Sequence, residues 1–184
     1  VTTVTEKIDS TVSFVTKKTK TNALGQYLFD SLVVKDKKVS ISATYTDVPK
    51  KGLDNKDVEL LTKYLLGEIS FNNYLQYLAA DIDEDGEIDI EDQNILMQLV
   101  TNEIPKLPGD NQWYVLDRKA TFANPEDALT LALPYEVFLD TIAKDSNIVD
   151  FIGIKKGNLS IDAGSVVSQE VSSRSAKVEE TSLK

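Results

Sequence analysis

Residues Asp81 to Asp92 read D-I-D-E-D-G-E-I-D-I-E-D, with aspartates at positions 1, 3, 5, 9 and 12 of the run, Gly86 at position 6 and Ile88 at position 8. The chemistry this favours is capture of a hard divalent cation. Ca²⁺ takes six to eight oxygen ligands at roughly 2.3–2.6 Å. Asp81, Asp83 and Asp85 can aim three carboxylates inward from one tight turn, and Gly86 lets the backbone reverse without a Cβ clash. Glu87 offers its peptide carbonyl, so its side chain matters little. Asp89 ligates directly or through a water, and Asp92 closes the site from the first turn of a following helix. Ile88 turns inward and anchors the loop. One Ca²⁺ is expected, with Asp81, Asp83, Asp85, Glu87, Asp89 and Asp92 as its ligands.

This spacing is that of an EF-hand-type calcium loop. A plainer reading competes with it. Acidic residues gather at helix N-termini because the macrodipole favours them, and Asp89 as N-cap with Asp92 at N3 forms a capping pattern. That reading covers positions 9 to 12. It leaves Asp81, Asp83, Asp85 and Gly86 in register without a reason.

Two helices must position the loop. Ile90 to Val100 carries a helix pattern directly after it. Residues 57 to 67 carry another, with Val58, Leu61 and Leu65 on one face and Gly67 as its stop. An offset of 35 maps Asp57 onto Asp92, Leu53 onto Ile88, Leu61 onto Leu96 and Leu65 onto Val100, so two loop–helix units repeat. The first loop is degenerate: Thr46, Val48 and Lys50 stand where the second has Asp81, Asp83 and Asp85. A one-residue gap brings Asp47 to position 1, yet Lys50 and Lys51 still occupy ligand places. No calcium is expected there, and these lysines are expected to pair with Asp54 or Asp57. Residues 68–80 read as core-facing packing with a short helix.

Around the units the chain reads as β. Residues 1–46 are rich in Val and Thr, and Val39, Ile41 and Ala43 alternate with Ser40 and Ser42. Residues 105–161 return to strand and loop, with Trp113–Leu116 and Val149–Lys155 the strongest segments. Gly153 is expected to mark a bulge, because Phe151 and Ile154 do not alternate simply. Residues 162–184 lose any useful period and read as a linker or the start of a further domain. The fold class is therefore α+β: strands over 1–46 that are too few to close a β-sandwich and so at most a partial one, two loop–helix repeats over 47–104, and a β extension over 105–161 packed on the repeats.

Composition narrows the function. The chain has 184 residues, a net charge of −10, no cysteine and no histidine. A nucleic-acid surface needs a basic stripe, so that partner is not expected. The absence of histidine removes Ser-His-Asp and Cys-His catalysis and most zinc sites. Carboxylate-only catalysis stays formally open, but no pair is singled out. No run approaches the roughly 18 apolar residues of a membrane span. Val1 is not an initiator Met, and the sequence reads as a fragment or mature segment of something longer.

The paired loop–helix units, with Asp at loop position 12 and no obvious entering helix, resemble a dockerin type I repeat. Ala23–Leu32 (A-L-G-Q-Y-L-F-D-S-L) resembles the hairpin of prealbumin-like β-sandwiches. With Gly52–Gly67, Tyr77–Asp81, Trp113–Val115 and Val149–Asn158, the succession is similar to a module of large type IX-secreted surface proteins of Bacteroidota, adhesins among them. That resemblance spans about residues 20 to 161. It implies a non-catalytic, calcium-stabilised module of a secreted or cell-surface protein, whose partners are neighbouring domains of the same long chain. A dockerin role implies instead a cohesin-like partner bound through Glu59, Lys63, Asn94 and Gln98. An accessory region of a carbohydrate-active enzyme is the third implication. This chain departs from the family's closing Gly-Asp with Gly157-Asn158.

Overall fold

Stretches of β-branched residues favour extended backbone, and here they assemble into two sheets. The computed structural model describes residues 2–10, 13–23, 25–29, 38–109, 111–139 and 149–160. Among them are strands β1 (Thr2–Ser10), β2 (Ser13–Lys20), β3 (Lys38–Tyr45), β4 (Trp113–Asp117), β5 (Glu136–Leu139) and β6 (Phe151–Lys155). Helices α1 (Asn55–Leu65), α2 (Tyr74–Ala80) and α3 (Ile90–Val100) lie between β3 and β4, and a 3-10 turn covers Pro125–Leu129. One sheet runs β2-β1-β3-β5 and the other is the pair β4-β6. All the pairings are antiparallel. The first sheet thus gains its fourth strand from residues 136–139, far downstream of the segment 1–46. The linker expected over 162–184 lies outside the described residues.

The two-stranded sheet is the wall between two cores. Side chains alternate across a strand, so β4 sends Trp113 and Val115 one way and Tyr114 and Leu116 the other. Trp113, Val115 and Phe151 meet Val39, Ile41 and Ala43 of β3. Tyr114, Leu116, Ile152 and Ile154 meet Leu61, Leu78, Leu96 and Leu99 of the helices. Tyr27, beside the first sheet, donates its hydroxyl to the Val149 carbonyl at 2.8 Å.

Gly153 does not mark a bulge. It pairs with Val115 in unbroken register, and Phe151 and Ile154 fall on opposite faces as period two requires. The glycine makes room instead: a Cβ there would lie 3.5 Å from Cε3 of Trp113.

Each helix begins as its sequence directs. Asp54 and Asp89 are N-caps, and Asp57 and Asp92 at N3 accept a hydrogen bond from the cap backbone N–H, closing a capping box in both units. The first helix therefore starts at Asn55, two residues earlier than periodicity placed it. Gly67 follows the C-cap Leu66 with φ +71°, a left-handed position that suits glycine. Asn73 caps α2, which delivers the chain into Asp81. The paired helices touch through Gln93, whose amide donates to the Thr62 hydroxyl. Among the described residues no helix is long and apolar enough to cross a membrane.

The position of Gly153 yields a test. Gly153→Ala is expected to be nearly neutral, since its Cβ finds ordinary contact with Trp113. Gly153→Val drives further methyls into the indole and is expected to lower stability by about 1–3 kcal/mol despite its better strand propensity. Urea denaturation of both variants measures the difference, and a Val variant at least as stable as the parent contradicts this packing.

Candidate metal centre

The acidic loop starts where α2 stops. Asp81 is the C-cap of that helix and is 3% exposed. Its Oδ2 accepts the Gly86 N–H at 3.2 Å, drawing the loop into a ring. Asp83 Oδ1 accepts the Asp85 N–H at 3.2 Å, and Asp85 Oδ1 accepts the Glu87 N–H at 2.8 Å. These are local Asx turns, the bonds that short acidic side chains make readily. Glu84 at φ +66° and Gly86 at φ +88° complete the reversal.

The five aspartates among the six residues expected as ligands divide into two groups. Asp81, Asp83 and Asp85 each offer a carboxylate oxygen, and those oxygens all lie within 4.8 Å of one another. Asp89 and Asp92 stand outside that triad and hold its frame. Asp89 Oδ1 caps α3 through the Glu91 N–H at 2.7 Å. Asp92, 1% exposed, takes three peptide N–H groups: Ile82 at 2.6 Å and Asp83 at 3.4 Å on Oδ1, and Asp89 at 2.9 Å on Oδ2. Glu87 has an exposed side chain, in keeping with a role for its carbonyl alone. Ile88 packs half-buried against the helical core.

One atom in this arrangement is out of balance. Asp81 Oδ1 is buried and has no hydrogen-bond partner among the described residues. Buried polar atoms are nearly always paired, and a carboxylate oxygen especially so. Burial, and then the nearby charge of Asp92, pushes the Asp81 carboxyl up to about 6, while the Gly86 N–H pulls the other way and Asp85 and Asp83 raise it further. Burial also raises Asp92, against the pull of its three amides. A carboxylate with a buried, unpartnered oxygen, grouped with two more carboxylates, has the donor chemistry of a hard-cation site. The residues present fit Ca²⁺.

The first loop is built for other work. Lys50 does not pair with Asp54 or Asp57. Its ammonium crosses to the C-terminal end of α3, donating to the Val100 carbonyl at 2.5 Å and to Asn102 Oδ1 at 2.9 Å, where a cation suits the helix dipole. Asp47 accepts from the Trp113 indole at 3.1 Å and from Lys155 at 2.9 Å. Asp57 is fully buried and accepts the Asp54 N–H at 2.9 Å. Of the helix residues considered for a docking face, Glu59 and Gln98 are exposed, while Lys63 and Asn94 are half-buried.

Sequence reasoning missed a second layer. Lys156, 2% exposed, forms an ion pair with Glu84 at loop position 4 and lies 5.4 Å over the Tyr114 ring. Nothing in the spacing of the loop announces a partner 72 residues away. Comparisons with family models, curated proteins and solved structures returned no match.

The Asp81 carboxyl carries a pH signature in the metal-free protein. Its folded value of about 6 lies above the ordinary 3.8. The folded state therefore holds this proton more tightly than the unfolded chain does. Its contribution to stability is full below about pH 4 and is lost as pH rises through about 6. Denaturant melts in EDTA across this window are expected to show that slope, reduced in Asp81→Asn.

Proposed function

We propose that residues 81–92 bind one Ca²⁺ and that the chain is a non-catalytic, calcium-stabilised module of a secreted or cell-surface protein, such as a segment of an adhesin or stalk. The observation that carries the reading is the buried, partnerless Oδ1 of Asp81 beside the carboxylates of Asp83 and Asp85. Asp81, Asp83 and Asp85 would hold the ion, with the Glu87 carbonyl and Asp89 completing its oxygens. Asp92 accepts one N–H on Oδ2 and keeps a lone pair there for the same purpose.

The effect of the ion follows from what the loop lacks. Without a cation, three carboxylates crowd one turn and repel, and one of them is desolvated. A bound ion offsets both terms, so binding free energy becomes folding free energy. Ca²⁺ is favoured over Mg²⁺ because a loop of many flexible oxygens suits variable coordination, whereas Mg²⁺ demands near-ideal octahedral geometry and holds its waters. A site of modest affinity fills at the millimolar calcium found outside cells. Neighbouring domains of the same chain are the partners this reading implies.

Ligand linkage sets the scale of the test. At about 100 times Kd, calcium adds about 2.7 kcal/mol, which for a chain of this size raises Tm by roughly 5–10 °C. Melting followed by circular dichroism in CaCl₂ and in EDTA is expected to show that gap. Asp81→Ala and Asp83→Ala are expected to close it, and Glu91→Gln to keep it. Equal melting temperatures with and without calcium would sink the proposal.

A further inference from the structure

The turn after β6 touches both loop–helix units. The Gly157 N–H donates to the Ala79 carbonyl at 2.7 Å, two residues ahead of Asp81, and the Lys156 N–H donates to the Gln112 carbonyl at 3.1 Å. Gly157 has φ +80°, and a Cβ on it would sit 2.7 Å from Leu96 Cδ1 and 3.5 Å from Leu53 Cδ1. It is wedged between the two units. Beyond it, the N–H groups of Leu159 and Ser160 both donate to Asp57 Oδ1, at 2.9 and 2.8 Å. Leu159 is 2% exposed and belongs to the helical core.

This geometry repeats that of the acidic loop. Ile82 and Asp83 give their N–H groups to Asp92 Oδ1; Leu159 and Ser160 give theirs to Asp57 Oδ1. Asp57 and Asp92 are equivalent in the repeat, each at N3 of its helix. Residues 158–160 thus stand to α1 as residues 81–83 stand to α3. The first unit is split, and its missing half comes from a strand end more than 100 residues downstream.

We infer that residues 156–160 form a clasp that couples the cation state of the acidic loop to the closure of the first unit. The inference rests on the calcium reading above. Glu84 is the link. It occupies a left-handed conformation that side-chain-bearing residues adopt rarely, and a cation on Asp81, Asp83 and Asp85 fixes the turn that contains it. Lys156 is buried and needs a counter-charge, which Glu84 supplies. With the turn fixed, the ammonium is held, Gly157 stays bonded to Ala79, and the amides of Leu159 and Ser160 stay on Asp57. With the cation removed, the carboxylates repel, the Glu84 turn opens, and the clasp loosens. Coupling of this kind is reciprocal: whatever factor calcium adds to clasp closure, clasp closure adds to calcium affinity.

The test is hydrogen exchange on the whole chain in CaCl₂ and in EDTA, with calcium titration calorimetry alongside. Calcium is expected to slow exchange at Gly157, Leu159 and Ser160 by about tenfold more than at Val39–Ala43, the internal reference for global stabilisation. Glu84→Gln, which changes a half-exposed side chain outside the ligand set, is expected to erase that excess and weaken calcium binding by the same factor. Lys156→Met is expected to do likewise. Calcium binding with no excess protection at 157–160 overturns the clasp and leaves the calcium site standing. Excess protection that persists in both variants also overturns it, because the coupling then bypasses the ion pair. Absence of calcium binding overturns both readings.

Discussion

Two buried aspartates, each collecting three peptide N–H groups, are the constraint on which this molecule is built. Asp57 and Asp92 are essentially inaccessible to water. A carboxylate in such a place survives only with its lone pairs filled, and charge-assisted bonds from backbone amides fill them well. Each aspartate binds the cap of its own helix and two amides of a separate segment. That dual grip sets where the helix starts, how the segment before it lies, and how the two meet. The helical core then packs against surfaces already held in place, with Leu61 and Leu96 in equivalent positions below the two carboxylates.

The same frame is finished in two ways. Around Asp92 the segment is contiguous, acidic and drawn into a ring by Asp81, and one oxygen remains without a partner. Around Asp57 the segment arrives from the far end of β6, carries Asn158 and Ser160 in place of acids, and is fastened by chain contacts. Duplication of a unit therefore does not require duplication of its chemistry. An amide frame can be satisfied by a remote strand end as well as by a loop that gathers charge. Lysines at positions 50 and 51 are compatible with the second solution and hostile to a cation, and Lys50 serves α3 instead.

Much of the site was legible because its determinants are local. The acidic spacing, Gly86, the Asp89–Asp92 box and the offset of 35 all lie within a few turns of chain, where residue type and backbone geometry are directly linked. The same is true of α1 and its stop at Gly67. What escaped was long-range. The role of Gly153 depends on Trp113 across the sheet, and a bulge was the natural reading without that neighbour. Lys50 reaches a helix end 50 residues on, and Lys156 finds Glu84. The division of the acidic residues, with Asp92 framing the loop, followed from hydrogen bonds that spacing alone does not specify.

The wall between the two cores has an optical consequence. Trp113 is the one tryptophan of the chain, and it stands at that wall. Its ring meets Tyr45 edge-on at 4.7 Å and the Lys155 ammonium at 5.4 Å, while its N–H is held by Asp47. Tryptophan emission from the protein thus originates at a single joint, with a fixed charge above the chromophore and a carboxylate at its edge. Any event that parts β3 from the two-stranded sheet changes the Tyr45 and Asp47 contacts at once, which makes the native indole a built-in gauge of whether the two sheets remain seated.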